Sequence, residues 1–178
     1  MRLFDRMIYR LITLARNKNT VQLLHRFANV DNHNLIFSNI YLGNIISAQN
    51  ISFLTEKNIG AIVNCTENES FHEYFIDKPT FRLAIQDHKE IQNIEKMKIE
   101  IMEAIDFMDK CYNENKIIYV HCYFGILRSA TVVAAFLIRK YNMSMEDAIH
   151  IVQEQRPYAL SSIYNFNEVL KHVEQHSR

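Results

Sequence analysis

Cys122, Gly125, Arg128 and Ser129 fall within eight consecutive residues, Cys122-Tyr123-Phe124-Gly125-Ile126-Leu127-Arg128-Ser129. That spacing suits a reaction at phosphorus. The run follows Ile117-Ile118-Tyr119-Val120, a short apolar segment that reads as a strand in the middle of a buried parallel sheet, and leads into Ser129–Tyr141, which reads as a helix. A strand-to-helix turn aims several backbone N–H groups at one point, and the helix N-terminus adds the positive end of its dipole. The backbone of Tyr123, Phe124, Gly125, Ile126 and Leu127 would then cradle a phosphate. Gly125, one of only three glycines in the chain, sits where the backbone must curl tightly around its ligand. Arg128 would close the ring with a planar fork that matches two phosphate oxygens. A cysteine in so positive a setting is expected to be a thiolate, and Cys122 is therefore the candidate nucleophile.

A cysteine six positions before an arginine is weak on its own. With ten Arg and three Cys in 178 residues, an accidental match arises about one time in six. The surroundings carry the specificity: an apolar strand before, His121 beside the cysteine, Gly125 central, Ser129 after the arginine and an apolar helix beyond. His-Cys-x5-Arg-Ser resembles the signature of the cysteine-based protein tyrosine phosphatases, specifically the dual-specificity class. Ile40-Tyr41-Leu42-Gly43 is similar to that family's opening strand, Ala61-Ile62-Val63-Asn64-Cys65-Thr66 to its second core strand, and Ser129–Pro157 to its helix pair. The likeness covers roughly residues 35–173.

The resemblance implies a phosphocysteine intermediate, no metal and no cofactor. It also implies a general acid on a loop facing the phosphate loop. Asp87 follows the strand expected at Thr80–Ile85 and precedes a long helix, where the family carries its acid; Glu90 is an alternative on the same loop, and Asp77, before the strand, fits worse. Ser129 has two readings, as N-cap of the following helix and, by the resemblance, as the hydroxyl that stabilises the cysteine thiolate when it leaves phosphorus. His121 is implied to orient the Cys122 backbone and lower the thiol pKa. Cys65 is either a small core residue or, as in some relatives, the second cysteine that captures an oxidised nucleophile as a disulfide. The chain departs from the family at Leu127, where many members carry a small polar residue, and lacks the family's Pro-Asn pair near Ser162-Ile163.

The elements that must position these residues follow from periodicity. Leu35–Leu42 reads as one or two strands ending at Gly43, Ile46–Lys57 as a helix and Ala61–Cys65 as a strand. Ile94–Tyr112 carries Met97, Ile101, Ala104, Ile105 and Met108 on one helical face. Met145–Gln155, with Ser144 as N-cap, and Asn165–His176 complete the helices. Strands alternating with helices give an α/β domain: a small, mostly parallel central sheet flanked by helices, over residues 35–178.

Equal numbers of basic and acidic residues, 20 of each, argue against a nucleic-acid binder. Three cysteines argue against a disulfide scaffold and for a reducing, cytoplasmic setting. No segment has the apolar length of a membrane span, and charges interrupt the first apolar run as they would not in a secretory signal. Residues 1–34 hold six Lys/Arg against two Asp, whereas residues 35–178 hold fourteen against eighteen. This basic arm carries apolar residues at helical spacing, Phe4, Met7, Ile8, Leu11 and Leu14 among them. Three readings follow: packing on its own domain, a homodimer like that of the poxviral dual-specificity phosphatases with their crossing N-terminal helix, or use of Arg2, Arg6, Arg10 and Arg16 for an anionic membrane surface or a mitochondrial address. The opposite charge of the body favours a protein surface.

Two alternatives to an active phosphatase acting on phosphoproteins come from other classes. A non-catalytic phosphate-binding module would normally have lost the cysteine or the arginine. Phosphatases of RNA 5′ ends or phosphoinositides tend to carry Lys or Asn within the loop, or Thr-Gly after the arginine, and this chain does not.

Overall fold

The computed structural model describes residues 31–86, 91–161 and 166–177; the arm up to residue 30, together with Asp87, His88, Glu90, Ser162 and Ile163, lies outside them. Five strands form one sheet: β1 (His33–Phe37), β2 (Ile40–Gly43), β3 (Ile59–Asn64), β4 (Thr80–Arg82) and β5 (Ile117–His121), in the order β1-β2-β5-β3-β4. The β1–β2 pair is antiparallel and the other three pairings are parallel. This is the mostly parallel sheet expected from the alternation of strands and helices.

β5 is central because its residues are apolar on both faces. Ile118 and Val120 enter one core with Ala61, Val63, Ile40 and Leu42, while Tyr119 points the other way, into a smaller core with Ile62, Phe53 and Leu54. The two-residue period of a strand sorts them. The larger core is closed by α3 (Ile91–Asn113), α4 (Arg128–Tyr141), α5 (Met145–Gln155) and α6 (Asn167–Ser177); α1 (Ile45–Ala48) and α2 (Ile51–Glu56) close the smaller. α4 is buried without interruption from Arg128 to Ile138, so it is the helix the others pack around. Truncating a side chain such as Phe136 there costs about 3–5 kcal/mol.

Three differences from the periodicity reading have local causes. The helix expected over Ile46–Lys57 is two, because the Asn50 side chain accepts from Phe53 N at 3.2 Å and starts α2 afresh. The strand expected over Thr80–Ile85 stops at Arg82, since its partner β3 ends at Asn64. β1 begins at His33, paired with Gly43, two residues ahead of the expected start. Ser144 caps α5 as expected, its Oγ accepting from Asp147 N at 3.1 Å.

Candidate active site

Cys122 stands at the C-terminal end of β5 and Arg128 at the first position of α4, with a five-residue curl, Tyr123 to Leu127, between them. The curl is held from behind, carbonyl by carbonyl. Ile45 N donates to Tyr123 O at 3.3 Å. Arg156 donates through Nη2 to Phe124 O at 3.2 Å and through Nε to Gly125 O at 2.6 Å. Leu160 N donates to Ile126 O at 3.0 Å, and Thr131 N donates to Leu127 O at 2.8 Å. In a trans peptide the N–H opposes the C=O. Five carbonyls held outward therefore turn the N–H groups of residues 124–128 toward the interior of the curl. Gly125 N shows the result, donating to Cys122 Sγ at 3.2 Å.

The apolar side chains that set this loop apart are its anchors. Phe124, Ile126 and Leu127 are buried in the larger core, which leaves the backbone to face a ligand. Gly125 has φ +71°, and a Cβ there would strike the backbone of Gly43. The loop thus rests directly on the end of β2. Gly43 is equally constrained, since a Cβ would meet Asn32 O and the Tyr119 hydroxyl. Tyr119, wholly buried, donates to Asn44 O at 2.7 Å, and the Asn44 side chain caps α1 by accepting from Ile46 N at 3.0 Å. Burial in that apolar setting pushes the Tyr119 phenol up, so it serves as a neutral donor.

Ser129 lies inside the first turn of α4, wholly buried, and donates from Oγ to Cys122 Sγ at 3.2 Å. Its N-cap reading is therefore wrong: Leu127 occupies the cap position, with no side-chain cap bond, and Ser129 has turned its hydroxyl to the sulfur. Two donors, one backbone and one hydroxyl, converge on Sγ, which favours the charged form of the sulfur. Arg128 is buried, and its Nη1 donates to Ile85 O at 3.0 Å. That bond fastens the chain two residues before Asp87 to the phosphate loop.

His121 Nδ1 lies 3.4 Å from Cys122 O. A carbonyl only accepts, so this contact requires the Nδ1–H tautomer. Burial drives the His121 pKa down to about 3, and the neutral ring stacks on Tyr119 with an interplanar angle of 8°. His121 thus touches the backbone of the cysteine rather than its sulfur. Cys65 follows β3 as Cys122 follows β5: Asn64 pairs with His121, and Cys65 N donates to His121 O at 2.8 Å. Burial first, and then the charge of Cys122, push the Cys65 thiol up, against a smaller opposite pull from Arg128.

Asp77 is exposed on the N-terminal side of β4, whereas Cys122 follows the C-terminal end of the parallel β5; it stands away from the site. Arg156 and Asn34, both in contact behind the loop, were not among the sequence candidates. An arginine at a helix C-terminus, followed by Pro157, suits the helix dipole as an exposed side chain, so no local signal marks Arg156 as buried behind the loop. Among the described residues no group of three or more His, Cys, Asp or Glu is arranged to hold a metal ion, and no helix is long and apolar enough to cross a membrane.

Comparison with known proteins agrees with this geometry. Residues 40–176 match the family model "Dual specificity phosphatase, catalytic domain". The chain is 31% identical over 150 residues to human dual specificity protein phosphatase 9, covering 80% of this chain and 38% of that protein. It is 31% identical over 149 residues to dual specificity protein phosphatase 1 of Arabidopsis thaliana, covering 80% and 73%. The chain therefore spans well under half of the first of these relatives and about three quarters of the second. In fold it is similar to the crystal structure of human DUSP28, with a TM-score of 0.73 at 18% identity, covering 82% of this chain and 95% of that one. With its sheet order, its outward-held carbonyl ring and the matched residues 40–176, the chain belongs to the dual specificity phosphatase catalytic-domain family.

Proposed function

We propose that the protein is a phosphatase that hydrolyses phosphotyrosine and phosphoserine or phosphothreonine in proteins through a phosphocysteine. The observation that carries this reading is the row of loop carbonyls from Tyr123 to Leu127, each held outward, which leaves the amides to meet phosphate oxygens beside Cys122 Sγ. Cys122 Sγ attacks phosphorus as the bond from phosphorus to the leaving oxygen breaks, and Asp87 gives that oxygen its proton. Water then attacks the phosphocysteine with Asp87 as base. The S–P bond breaks, inorganic phosphate leaves, and Ser129 Oγ supports the sulfur that departs. The donors are fixed before substrate arrives, so they stabilise the developing charge without rearranging. Arg128 takes two phosphate oxygens.

The family's metal-free chemistry and a reducing compartment, in which Cys122 stays unoxidised, belong to the same reading. So does a homodimer through the basic arm of residues 1–34 against the acidic body of a second copy. Light scattering that finds a monomer at tens of micromolar would remove the dimer. A panel of phosphotyrosine, phosphoserine and phosphothreonine peptides, one phosphoinositide and one 5′-triphosphate RNA, assayed in chelator with and without vanadate, tests the substrate class. Vanadate-sensitive turnover of the peptides is expected. Turnover of the lipid or the RNA alone would transfer the function to that class.

A further inference from the structure

Arg156, at the C-terminal end of α5, is wholly buried, and its side chain donates four hydrogen bonds, all to neutral acceptors. Besides Phe124 O and Gly125 O, Nη1 donates to Asp31 O at 2.8 Å and to Asn34 Oδ1 at 2.6 Å. Asn34 in turn donates through Nδ2 to the Asp31 carboxylate at 3.4 Å. Burying a guanidinium against neutral carbonyls is expensive, and a core built for stability alone does better with apolar side chains. The position of the charge is what distinguishes it. The peptide unit joining Phe124 to Gly125 has its oxygen on Arg156 and its N–H on Cys122 Sγ. A cation thus stands one peptide dipole behind the nucleophile.

We infer that Arg156 is a positioning residue for the phosphate loop: it fixes the two peptides on either side of Gly125 with their N–H groups inward and polarises the one that donates to Cys122 Sγ, while the Asp31–Asn34 strap orients its fork. Chained hydrogen bonds strengthen one another in a dry setting, so the cation acts on the sulfur through the peptide as well as across space. Burial lowers the Arg156 pKa to about 10, which leaves it charged at neutral pH, and Cys122 and Asp31 pull the other way. The strap ties the segment that enters β1 to Arg156, 125 residues from Asp31 and 122 from Asn34, and through Arg156 to the catalytic loop.

The inference rests on the phosphatase reading of the same site, and its test separates the two. The rate of Cys122 alkylation by iodoacetamide is followed against pH by peptide mass spectrometry on the full chain, together with vanadate affinity and kcat/KM for an aryl phosphate. Arg156→Met is expected to raise the pH midpoint of alkylation by about one unit, a tenfold loss of thiolate below the midpoint, and to weaken vanadate by tenfold or more. Arg156→Lys, which keeps charge without the fork, should hold the midpoint nearer wild type yet lose kcat. Asn34→Ala should move the midpoint the same way as Arg156→Met, by less, while kcat/KM falls a few-fold. A purely structural role would lower the melting temperature and leave the midpoint unmoved. Folded Arg156→Met and Asn34→Ala proteins with wild-type midpoint and vanadate affinity would overturn the inference. Should Arg156→Met not fold, an unshifted Asn34→Ala protein overturns it alone. A wild-type chain inactive on every phosphomonoester, with the midpoint still moved by both variants, refutes the phosphatase and leaves the positioning role standing.

Discussion

Ser129 Oγ donates to Cys122 Sγ across 3.2 Å from inside the first turn of α4, so the helix that begins the phosphate site also reaches back to the sulfur. That contact has most to do when the sulfur leaves phosphorus and regains its charge. Ser129→Ala should therefore release the first equivalent of product in a burst and then turn over slowly, the steady phase falling by about ten- to a hundredfold, as typical for a lost donor at a developing charge. Rapid-quench kinetics on an aryl phosphate reads both phases. Equal loss in burst and steady rate would place the hydroxyl in the first step instead.

Asp87 is assigned from the order of the chain, and Arg128 holds the residue two before it at the loop through Ile85 O. Asp87→Asn should slow peptide hydrolysis by about a hundredfold or more and spare an activated aryl phosphate, whose leaving group departs without a proton. Wild-type peptide turnover in Asp87→Asn beside a defective Glu90→Gln would move the role to Glu90.

His121 ties stability to pH. Its folded pKa is about 3 against 6.5 for a free imidazole, so the unfolded chain takes up the proton that the folded one refuses. The contribution is complete above about pH 6.5 and is lost as pH falls below it, by about 1.4 kcal/mol per pH unit until the folded group titrates. His33, lowered chiefly by burial, acts in the same direction. Denaturant melts at several pH values between 7 and 4.5 should show the slope, and His121→Asn, whose amide still reaches Cys122 O, should flatten it. An unchanged slope would mean that the proton is taken up elsewhere.

The register that pairs Asn64 with His121 leaves Cys65 and Cys122 side by side at the ends of neighbouring strands, about 4.8 Å apart in backbone spacing. That lies within the Cα range a disulfide tolerates. Mild peroxide should convert Cys122 to a sulfenic acid, and Cys65 should then displace the hydroxyl to form a disulfide with loss of water. Mass spectrometry of unreduced peptides should find the pair. Direct passage of Cys122 to sulfinic acid would leave Cys65 a core residue.

The phosphate loop was legible because its chemistry is local: nucleophile, glycine, arginine and hydroxyl lie within one turn of chain, and the strand and helix around them are strongly apolar. The helix break at Asn50 was not, since the apolar period runs on while one amide side chain captures Phe53 N. The end of β4 depends on where β3 stops, which no property of Leu83-Ala84-Ile85 reveals. Arg156 was missed for the same reason at longer range. Its acceptors are on Gly125 and Asp31, 31 and 125 residues away, and only the fold brings them to one guanidinium. Ser129 shows the converse, a residue type that fits a helix cap but is drawn off by the sulfur.

The central claim is that Cys122 takes the phosphoryl group. Phosphate release from a phosphotyrosine peptide, measured in chelator for the wild-type chain and for Cys122→Ser, tests it most directly. The expected result is release by the wild type, blocked by vanadate, and peptide binding without release by Cys122→Ser, because the loop amides and Arg128 remain while the nucleophile is gone. Release by Cys122→Ser at the wild-type rate would contradict the account.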